Sequence, residues 1–240
     1  MQKTKMIFTI GPASDSKDIL TKLMEIGMNV TRLNFSHGTH EDHKIKMDLI
    51  KSLREELNKS VAIMLDIKGP KIRTHNFMGD TVAIDKGQKF VFSCGKEILG
   101  NKERCSVSYT ELYQDLKVDG TLLVDDGLIE FKIDSIEGTE INCTALNSGF
   151  IGNHKGINVP NISIGLPAVT DKDKLDLIFG CEQGVDIVAA SFIRKASDVI
   201  DVRNILNANG GEHIQIISKI ETQEGVDNID AIIEASDGIM

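Results

Sequence analysis

Cysteines are few in this sequence, and their spacing excludes the common cysteine-based architectures. Four cysteines occur among the 240 residues, and no two of them form a C-x-x-C pair. The pattern favours small buried or half-buried thiols in a reducing compartment over a zinc site or a disulfide framework.

Long hydrophobic runs are absent as well. A membrane span needs about 18 or more consecutive apolar residues, and the sequence contains no such run. The apolar segment at 6–10 is too short for the core of a signal peptide, and Gly11 and Pro12 interrupt it. We therefore expect a cytoplasmic protein without a membrane partner.

Positive charge is in deficit. The sequence has 36 acidic residues against 27 Lys and Arg, which gives a net charge of −9. This balance argues against nucleic acid or an anionic membrane as a partner. A phosphorylated substrate stays compatible with it, because a local cluster of cations can hold a phosphate inside an acidic protein.

Apolar strands alternate with helical patterns at both ends of the chain. Strands are predicted at 6–10, 30–35, 61–65, 186–190 and 214–217, and a sixth begins near 237. About five helices accompany them. Thr39 and Asp42 resemble a capping box, and Thr170 and Asp173 start another helix. The β-then-α order predicts parallel strands joined by right-handed crossovers.

The middle of the chain has a different pattern. From about 74 to 166, short alternating runs are separated by Asp-Gly pairs, which is typical of a small β domain. We predict an α/β fold: an incomplete (β/α)8 TIM barrel at 1–72 and 167–240, truncated near strand 6, with an inserted small β-barrel lid domain at 73–166. An open doubly wound sheet is the alternative, which the lack of a G-x-G-x-x-G after the first strand weakens.

Polar residues mark the end of the second strand. Reactive groups gather at the carboxyl ends of the strands in a (β/α) barrel. Arg32, Asn34 and Ser36 alternate by two, so they should share one face of an extended segment. A guanidinium, two oxygen ligands and a Gly-containing turn before a helix suit an anion site. The structural alternative is a salt-bridged Arg with a Ser cap beyond it.

Charged residues also follow the third and fifth strands. Asp66 ends an apolar run, where a carboxylate is costly to bury unless it is paired or binds a cation. Lys219 and Glu221 should share a face, with the Lys stabilising developing negative charge and the Glu holding a divalent cation. A capping Asp before a solvated basic loop, and an ordinary Lys–Glu ion pair, are the alternatives.

The lid segment contributes Lys155, which lies between a His and a Gly and suits a phosphate contact or a solvated loop. Asp125 and Asp126 are predicted to be hairpin-turn residues, although a lid carboxylate could meet a substrate or metal.

The strand ends together predict a convergent charged site. Its members are Arg32, Arg73 and Lys219 with Asp66 and Glu221. Three cations around two carboxylates suit a phosphorylated anion with a divalent metal. Phosphoryl transfer and phosphate-ester lyase chemistry both stay open at this point.

Six motifs, in order along the chain, resemble those of the pyruvate kinase family. They are TIGPAS at 9–14, NVTRLNFSHG at 29–38, DIKGPKIRT at 66–74, SFIR at 191–194, ISKIE at 217–221 and EASDGIM at 234–240. The resemblance covers essentially the whole chain. It implies transfer of the phosphoryl group of phosphoenolpyruvate to ADP, giving pyruvate and ATP in glycolysis.

The resemblance also implies roles for individual residues. Arg32 would bind the substrate phosphoryl group, and Lys219 would be the catalytic residue that also contacts the substrate. Glu221 would ligate Mg²⁺ or Mn²⁺. A monovalent-cation site would be formed by Asn34, Ser36, Asp66 and the carbonyl of Ile67. The implied nucleotide-binding residues are Asn34, His37, Arg73 and Lys155.

The sequence differs from the family pattern in two respects. The family's second magnesium carboxylate, last barrel strands and C-terminal domain lie beyond the stretch that matches 234–240. We therefore expect the 240-residue chain alone to be inactive. Lys71 takes the place of a Glu found in potassium-dependent members, so K⁺ is in doubt as a cofactor.

Two rival functions stay open on the sequence. One is a Mg-dependent barrel lyase acting on phosphoenolpyruvate or pyruvate, which would not bind ADP. The other is a non-catalytic, truncated form. The family further implies a homotetramer for the full-length protein.

Overall fold

The computed structural model describes residues 3–160, 162 and 165–240. They form two compact units. The barrel unit comprises the residues up to Pro70 together with Pro167–Met240, and the lid unit comprises Lys71–Leu166.

The first part of the barrel unit alternates strictly between strands and helices. Its elements are β1 (Ile7–Thr9), α1 (Lys17–Glu25), β2 (Val30–Asn34), α2 (His40–Glu56) and β3 (Ala62–Asp66). The predicted capping box starts α2: the Thr39 hydroxyl accepts from the Asp42 N–H at 3.2 Å, and the Asp42 carboxylate accepts from the Thr39 N–H at 2.9 Å. The Thr39 N–H and the Thr39 hydroxyl both donate to the Asp42 carboxylate, and these two bonds lower the pKa of Asp42. The capping box thereby provides acceptors for two backbone N–H groups at the helix start that have no acceptor within the helix.

The lid unit is built mainly from strands. Its elements are β4 (Ile72–Arg73), β5 (Thr81–Ile84), β6 (Lys89–Ser93), β7 (Arg104–Ser106), α3 (Leu112–Asp115), β8 (Thr121–Val124), β9 (Ile129–Glu137), β10 (Glu140–Ala145), β11 (Gly149–Gly152) and β12 (Gly156–Asn158). The larger sheet has the order β4-β12-β8-β9-β10-β6-β7, and β11 pairs with β5. A separate core fills the lid, with Phe90, Phe92 and Phe131 packed at centroid distances of 5.0–5.6 Å.

The chain then returns to the barrel unit. The elements there are α4 (Asp171–Glu182), β13 (Ile187–Ala190), α5 (Ala196–Ala208), β14 (Gln215–Ser218), α6 (Gln223–Asp227), α7 (Ile229–Ala235) and β15 (Gly238–Ile239). A second capping box, between Thr170 and Asp173, starts α4 as predicted. Two short helices, α6 and α7, stand where the pattern predicted one.

Six parallel strands form the sheet of the barrel unit, within the described residues, in the order β1-β2-β3-β13-β14-β15. Strand order follows chain order, and helices connect the neighbours. A doubly wound sheet would reverse its order at a switch point, and this sheet has no reversal in the described ranges. The predicted α/β fold, an incomplete (β/α) barrel interrupted in the sequence by a separate β-rich unit, is confirmed.

Helices α1, α2, α4 and α5 contribute apolar faces to one core against the sheet, which includes Leu20, Ile50, Leu65, Leu177 and Val202. This packing fixes the strands, and therefore the strand ends, as one rigid layer. No helix within the described residues is long and apolar enough to cross a lipid bilayer.

All four cysteines are free, as predicted. Cys94, Cys105 and Cys143 are buried and Cys181 is half-buried. Burial raises the pKa of Cys94 to about 11 and that of Cys143 to about 12, so both stay as unreactive thiols at neutral pH.

Candidate active site

Strand register brings the charged residues to one edge of the barrel-unit sheet. Asn34 on β2 lies beside Asp66 on β3, and Asp66 lies beside Ala189 on β13. Ala190 in turn lies beside Ser218 on β14. Lys219 and Glu221, which follow Ser218, therefore come to the same edge as Asp66.

The Asp66 carboxylate is the centre of this edge. It is only 1% exposed. One of its oxygens, Oδ2, accepts from Arg32 Nε at 2.6 Å and from Arg32 Nη2 at 2.5 Å. The other, Oδ1, accepts from Lys219 Nζ at 3.2 Å. A buried carboxylate needs compensating charge, and two cations from different strands supply it here. Of the alternatives that the sequence left open for Asp66, the structure shows pairing with cationic side chains.

Ser191 connects three parts of the site and was not assigned a role from the sequence. Its hydroxyl contacts the Asp66 carboxylate at 3.2 Å and the Ile67 carbonyl at 2.6 Å. It also accepts from Lys219 Nζ at 2.8 Å. Because Ser191 directly follows β13, it lies between β3 and β14. It joins Asp66, which is 125 positions earlier in the sequence, to Lys219, which is 28 positions later.

Glu221 is held beside Lys219. Its Oε1 lies 3.6 Å from Lys219 Nζ, and its Oε2 accepts from the backbone N–H of Phe192 at 2.9 Å. Phe192 has a φ of +57°, a left-handed conformation that is rare for a bulky residue. This conformation aims the Phe192 N–H at the carboxylate, which fixes Glu221 while leaving its side chain one-third exposed.

Close packing also fixes the loop that follows Asp66. Gly69 has a φ of +68°, and a Cβ at this position would lie 2.8 Å from the Ser191 carbonyl oxygen. Its N–H donates to the buried Asp173 carboxylate at 3.1 Å. Only glycine fits here without displacing Ser191.

Glu221 is the carboxylate at this edge that could hold a divalent metal. No group of three or more His, Cys, Asp or Glu side chains suited to a metal occurs within the described residues. Mg²⁺ commonly binds through one or two carboxylates together with substrate oxygens and water. Glu221 is accessible enough to provide one of those carboxylates.

Comparison with known proteins assigns the family. The family model described as "Pyruvate kinase, barrel domain" matches residues 1–240. The chain belongs to the pyruvate kinase family. Among curated pyruvate kinases, it is 61% identical over 240 residues to that of Clostridium perfringens and 58% identical to that of Clostridium acetobutylicum. It is 49% identical over 241 residues to the pyruvate kinase of Geobacillus stearothermophilus.

Each of these matches includes all of this chain but only part of the relative. The chain spans 51% of the two clostridial pyruvate kinases and 41% of the Geobacillus protein. It therefore spans about half the length of the curated relatives it matches.

The turn after β2 differs from its prediction in this member of the pyruvate kinase family. The strand ends at Asn34, so Ser36 lies in the turn and does not share an extended face with Arg32 and Asn34. The turn forms because the Asn34 side chain accepts from the Ser36 N–H at 3.0 Å and its carbonyl accepts from the His37 N–H. The His37 side chain is exposed.

The predicted nucleotide-binding residues Arg73 and Lys155 belong to the lid unit. Arg73 donates to the His154 carbonyl at 2.9 Å, and Lys155 pairs with Asp125 at 2.8 Å. Lys71 pairs with Asp126 at 3.1 Å. The two aspartates form the β8–β9 hairpin turn as predicted.

Both hairpin aspartates adopt left-handed backbone conformations, with φ values of +55° for Asp125 and +54° for Asp126. Asp tolerates this region better than most residues. The turn directs two neighbouring carboxylates at two cations, so each of these lid ammonium groups has a carboxylate partner.

Proposed function

We propose that the protein transfers the phosphoryl group of phosphoenolpyruvate to ADP, giving pyruvate and ATP in glycolysis. The observation that carries the proposal is the convergence of the Arg32 guanidinium and the Lys219 ammonium on the buried Asp66, with Glu221 beside them. Both substrates are highly anionic, and their mutual repulsion must be offset before in-line transfer.

Arg32 binds the phosphoryl group of phosphoenolpyruvate. Its guanidinium is already oriented, because Asp66 takes two of its N–H groups and Thr9 Oγ1 accepts from Nη1 at 2.7 Å. Its side chain is 24% exposed, which leaves donors on the open side of the site. A guanidinium fixed before the substrate arrives loses little rotamer freedom on binding.

Lys219 stabilises the transferring phosphoryl group and the enolate oxygen that is released. Three neighbours hold the ammonium in place: Asp66, Ser191 and Glu221. The side chain is 17% exposed, so the positive charge acts in a largely water-excluded position. Charge fixed in such a site stabilises a transition state more than the same charge in water.

Glu221 holds the divalent ion, Mg²⁺ or Mn²⁺. When bound, that ion supplies positive charge to the phosphoryl oxygens. The Phe192 N–H keeps one oxygen of Glu221 in place, so the other oxygen stays directed toward the Lys219 side of the site.

A monovalent-cation site is proposed at Asn34, Ser36, Asp66 and the Ile67 carbonyl. Three of these groups already accept hydrogen bonds: the Asn34 amide, the Asp66 carboxylate and the Ile67 carbonyl. A cation there would use the remaining lone pairs of the Asn34 amide and the Ile67 carbonyl, and it would have to replace one of the hydrogen bonds that Asp66 accepts. Before the substrates bind, the charges of Arg32 and Lys219 balance those of Asp66 and Glu221. Asn34, His37, Arg73 and Lys155 are proposed to contact the nucleotide.

A coupled assay on the protein as its gene encodes it tests the function. Pyruvate formed from phosphoenolpyruvate is measured with and without ADP, and ATP is measured in parallel. We expect equal amounts of pyruvate and ATP, formed only with ADP and a divalent cation. Pyruvate release that does not depend on ADP would contradict the proposal and favour lyase or hydrolase chemistry.

A substitution at Arg32 provides the matched test at the site. Arg32→Lys keeps the charge but cannot make two bonds to Asp66 and still present a planar donor pair to a phosphate. We expect a raised KM for phosphoenolpyruvate with an unchanged KM for ADP. An unchanged KM for phosphoenolpyruvate in Arg32→Lys would show that Arg32 does not bind this substrate.

A further inference from the structure

A buried histidine lies behind the turn that follows β2. His43, on α2, is 5% exposed and stacks face to face on Phe35, with ring centroids 3.9 Å apart and planes 9° from parallel. Its Nε2 lies 2.8 Å from the carbonyl oxygen of His37. The ring thus joins the first turns of α2 to the far end of the 34–38 turn.

The tautomer of His43 follows from this contact. A carbonyl oxygen only accepts, so Nε2 must carry the proton and donate it. The other nitrogen, Nδ1, is buried and has no hydrogen-bond partner within the described structure. Protonating Nδ1 would place a buried N–H without an acceptor, which is costly. The ring is therefore held neutral, with a fixed donor aimed at His37.

A second side chain holds the same turn from another helix. Lys172, on α4, donates to the Phe35 carbonyl at 2.9 Å and pairs with the buried Asp176 at 2.6 Å. Asp176 also contacts His40 at 2.8 Å. The turn therefore has two backbone carbonyls, those of Phe35 and His37, anchored by side chains of α4 and α2.

We propose that His43 is a positioning residue: its Nε2–H fixes the His37 carbonyl and thereby the conformation of the 34–38 turn. The inference rests on the proposed function, because this turn carries Asn34, Ser36 and His37, which are proposed to bind the nucleotide and a monovalent cation. Arg32 and Lys219 are held separately by Asp66. His43 therefore acts on the nucleotide side of the site and leaves the phosphoenolpyruvate side unchanged.

Two substitutions separate the donor from the packing. His43→Phe keeps an aromatic ring against Phe35 and deletes the donor. His43→Gln loses the ring and keeps an amide N–H near the position of Nε2. We expect His43→Phe to raise the KM for ADP about tenfold, the size of effect one well-placed hydrogen bond supports, with no change in the KM for phosphoenolpyruvate. His43→Gln should restore the KM for ADP to within about twofold.

A purely structural role predicts a different outcome. Both variants would then lower the melting temperature and the active fraction without moving the KM for ADP. That result, or equal KM values for ADP in the two variants, would overturn the inference. The exposed His213 provides the control, because His213→Phe should leave both KM values unchanged.

Two measurements do not depend on catalysis. Hydrogen exchange of the Ser36, His37 and Gly38 amides, without ligands, should be faster in His43→Phe than in His43→Gln or the unsubstituted protein. Nitrogen-15 NMR of the unsubstituted protein should show a neutral His43 protonated at Nε2. Unchanged exchange or the Nδ1–H tautomer would overturn the inference, whereas failure of the ADP-dependent assay would overturn only the proposed function.

Discussion

Replacing Asp66 is the sharpest test of how the charged edge of the sheet is held together. Asp66→Ala would leave the Arg32 and Lys219 side chains, which are 24% and 17% exposed, without their shared carboxylate. Removing one partner of a buried ion pair costs about 3–5 kcal/mol. Because both cations keep some contact with water, we expect a loss near the lower end, about 3 kcal/mol in the free energy of unfolding.

Asp66→Asn should be nearly as damaging. Both carboxylate oxygens accept hydrogen bonds, one from Arg32 and the other from Lys219. An amide group has only one acceptor oxygen, so its NH2 would face a donor in either orientation. We expect a loss of at least about 2 kcal/mol, which an isosteric change at a solvated Asp would not cause.

The measurement is thermal and denaturant unfolding, followed by circular dichroism. For a unit of this size, about 3 kcal/mol corresponds to a fall in Tm of about 6–12 °C. Amide hydrogen exchange reports on the two units separately. In Asp66→Ala, exchange faster than in the unsubstituted protein should be confined to amides of the barrel unit.

The matched control is Asp126→Ala. Asp126 is 76% exposed and pairs with Lys71 at 3.1 Å. An exposed ion pair of this kind contributes about 0–1 kcal/mol, and an Ala in the left-handed conformation of Asp126 adds about 1 kcal/mol of backbone strain. If Asp66→Ala costs no more than Asp126→Ala, then Asp66 does not hold the Arg32 and Lys219 side chains in place.

Three further outcomes are expected. Glu221→Gln should raise the Mg²⁺ concentration needed for half-maximal activity by about tenfold or more, as measured by metal titration; an unchanged requirement would exclude Glu221 as a ligand. Lys71 leads us to expect near-full activity without added K⁺, so near-zero activity in K⁺-free buffer would contradict that expectation. Burial lowers the pKa of His43 below 6.5, with Lys46 acting in the same direction and the His37 carbonyl, Asp176 and Asp42 opposing. The unfolded state therefore binds a proton at His43 more readily than the folded state does. The neutral His43 thus contributes to stability fully above about pH 6.5, and this contribution is lost as the pH falls toward the pKa of His43 in the folded protein. The stability difference between the unsubstituted protein and His43→Gln should decrease as the pH falls below about 6.5; a difference independent of pH would contradict it.

Features that depend on nearby residues were predicted well from the sequence. The capping boxes at Thr39 and Thr170 involve residues three positions apart, and both helices begin where expected. The apolar runs also located the strands, because a strand buried in a parallel sheet is apolar on both faces. The observed strand ends differ from the predicted ends by about one residue. At the end of β2 this difference places Ser36 in the turn and not on the predicted extended face.

Features that depend on register and backbone conformation were not predicted. Ser191 joins Asp66 to Lys219 only because β13 lies between β3 and β14, and no local pattern marks a serine for this role. The left-handed backbone of Phe192, which fixes Glu221, has no signal in its residue type. The anchoring of the turn by His43 and Lys172 likewise joins separate helices.

Residue chemistry did predict the centre of the site. A carboxylate at the end of an apolar strand was expected either to be paired or to bind a cation, and its partners in the structure are Arg32 and Lys219. The sequence alone left open whether such pairs were ordinary ion pairs. The shared contacts of Asp66 and Ser191 show that they form one connected cluster.

The role of Lys219 is the most direct test of the proposed chemistry. ATP formation from phosphoenolpyruvate and ADP should be measured for the protein as its gene encodes it and for Lys219→Met. Lys44→Met serves as the control, since Lys44 pairs only with the half-exposed Asp48 among the contacts described for it. We predict that Lys219→Met lowers kcat about 10³-fold, and that Lys44→Met leaves it unchanged. A kcat for Lys219→Met within tenfold of the unsubstituted protein would contradict the account.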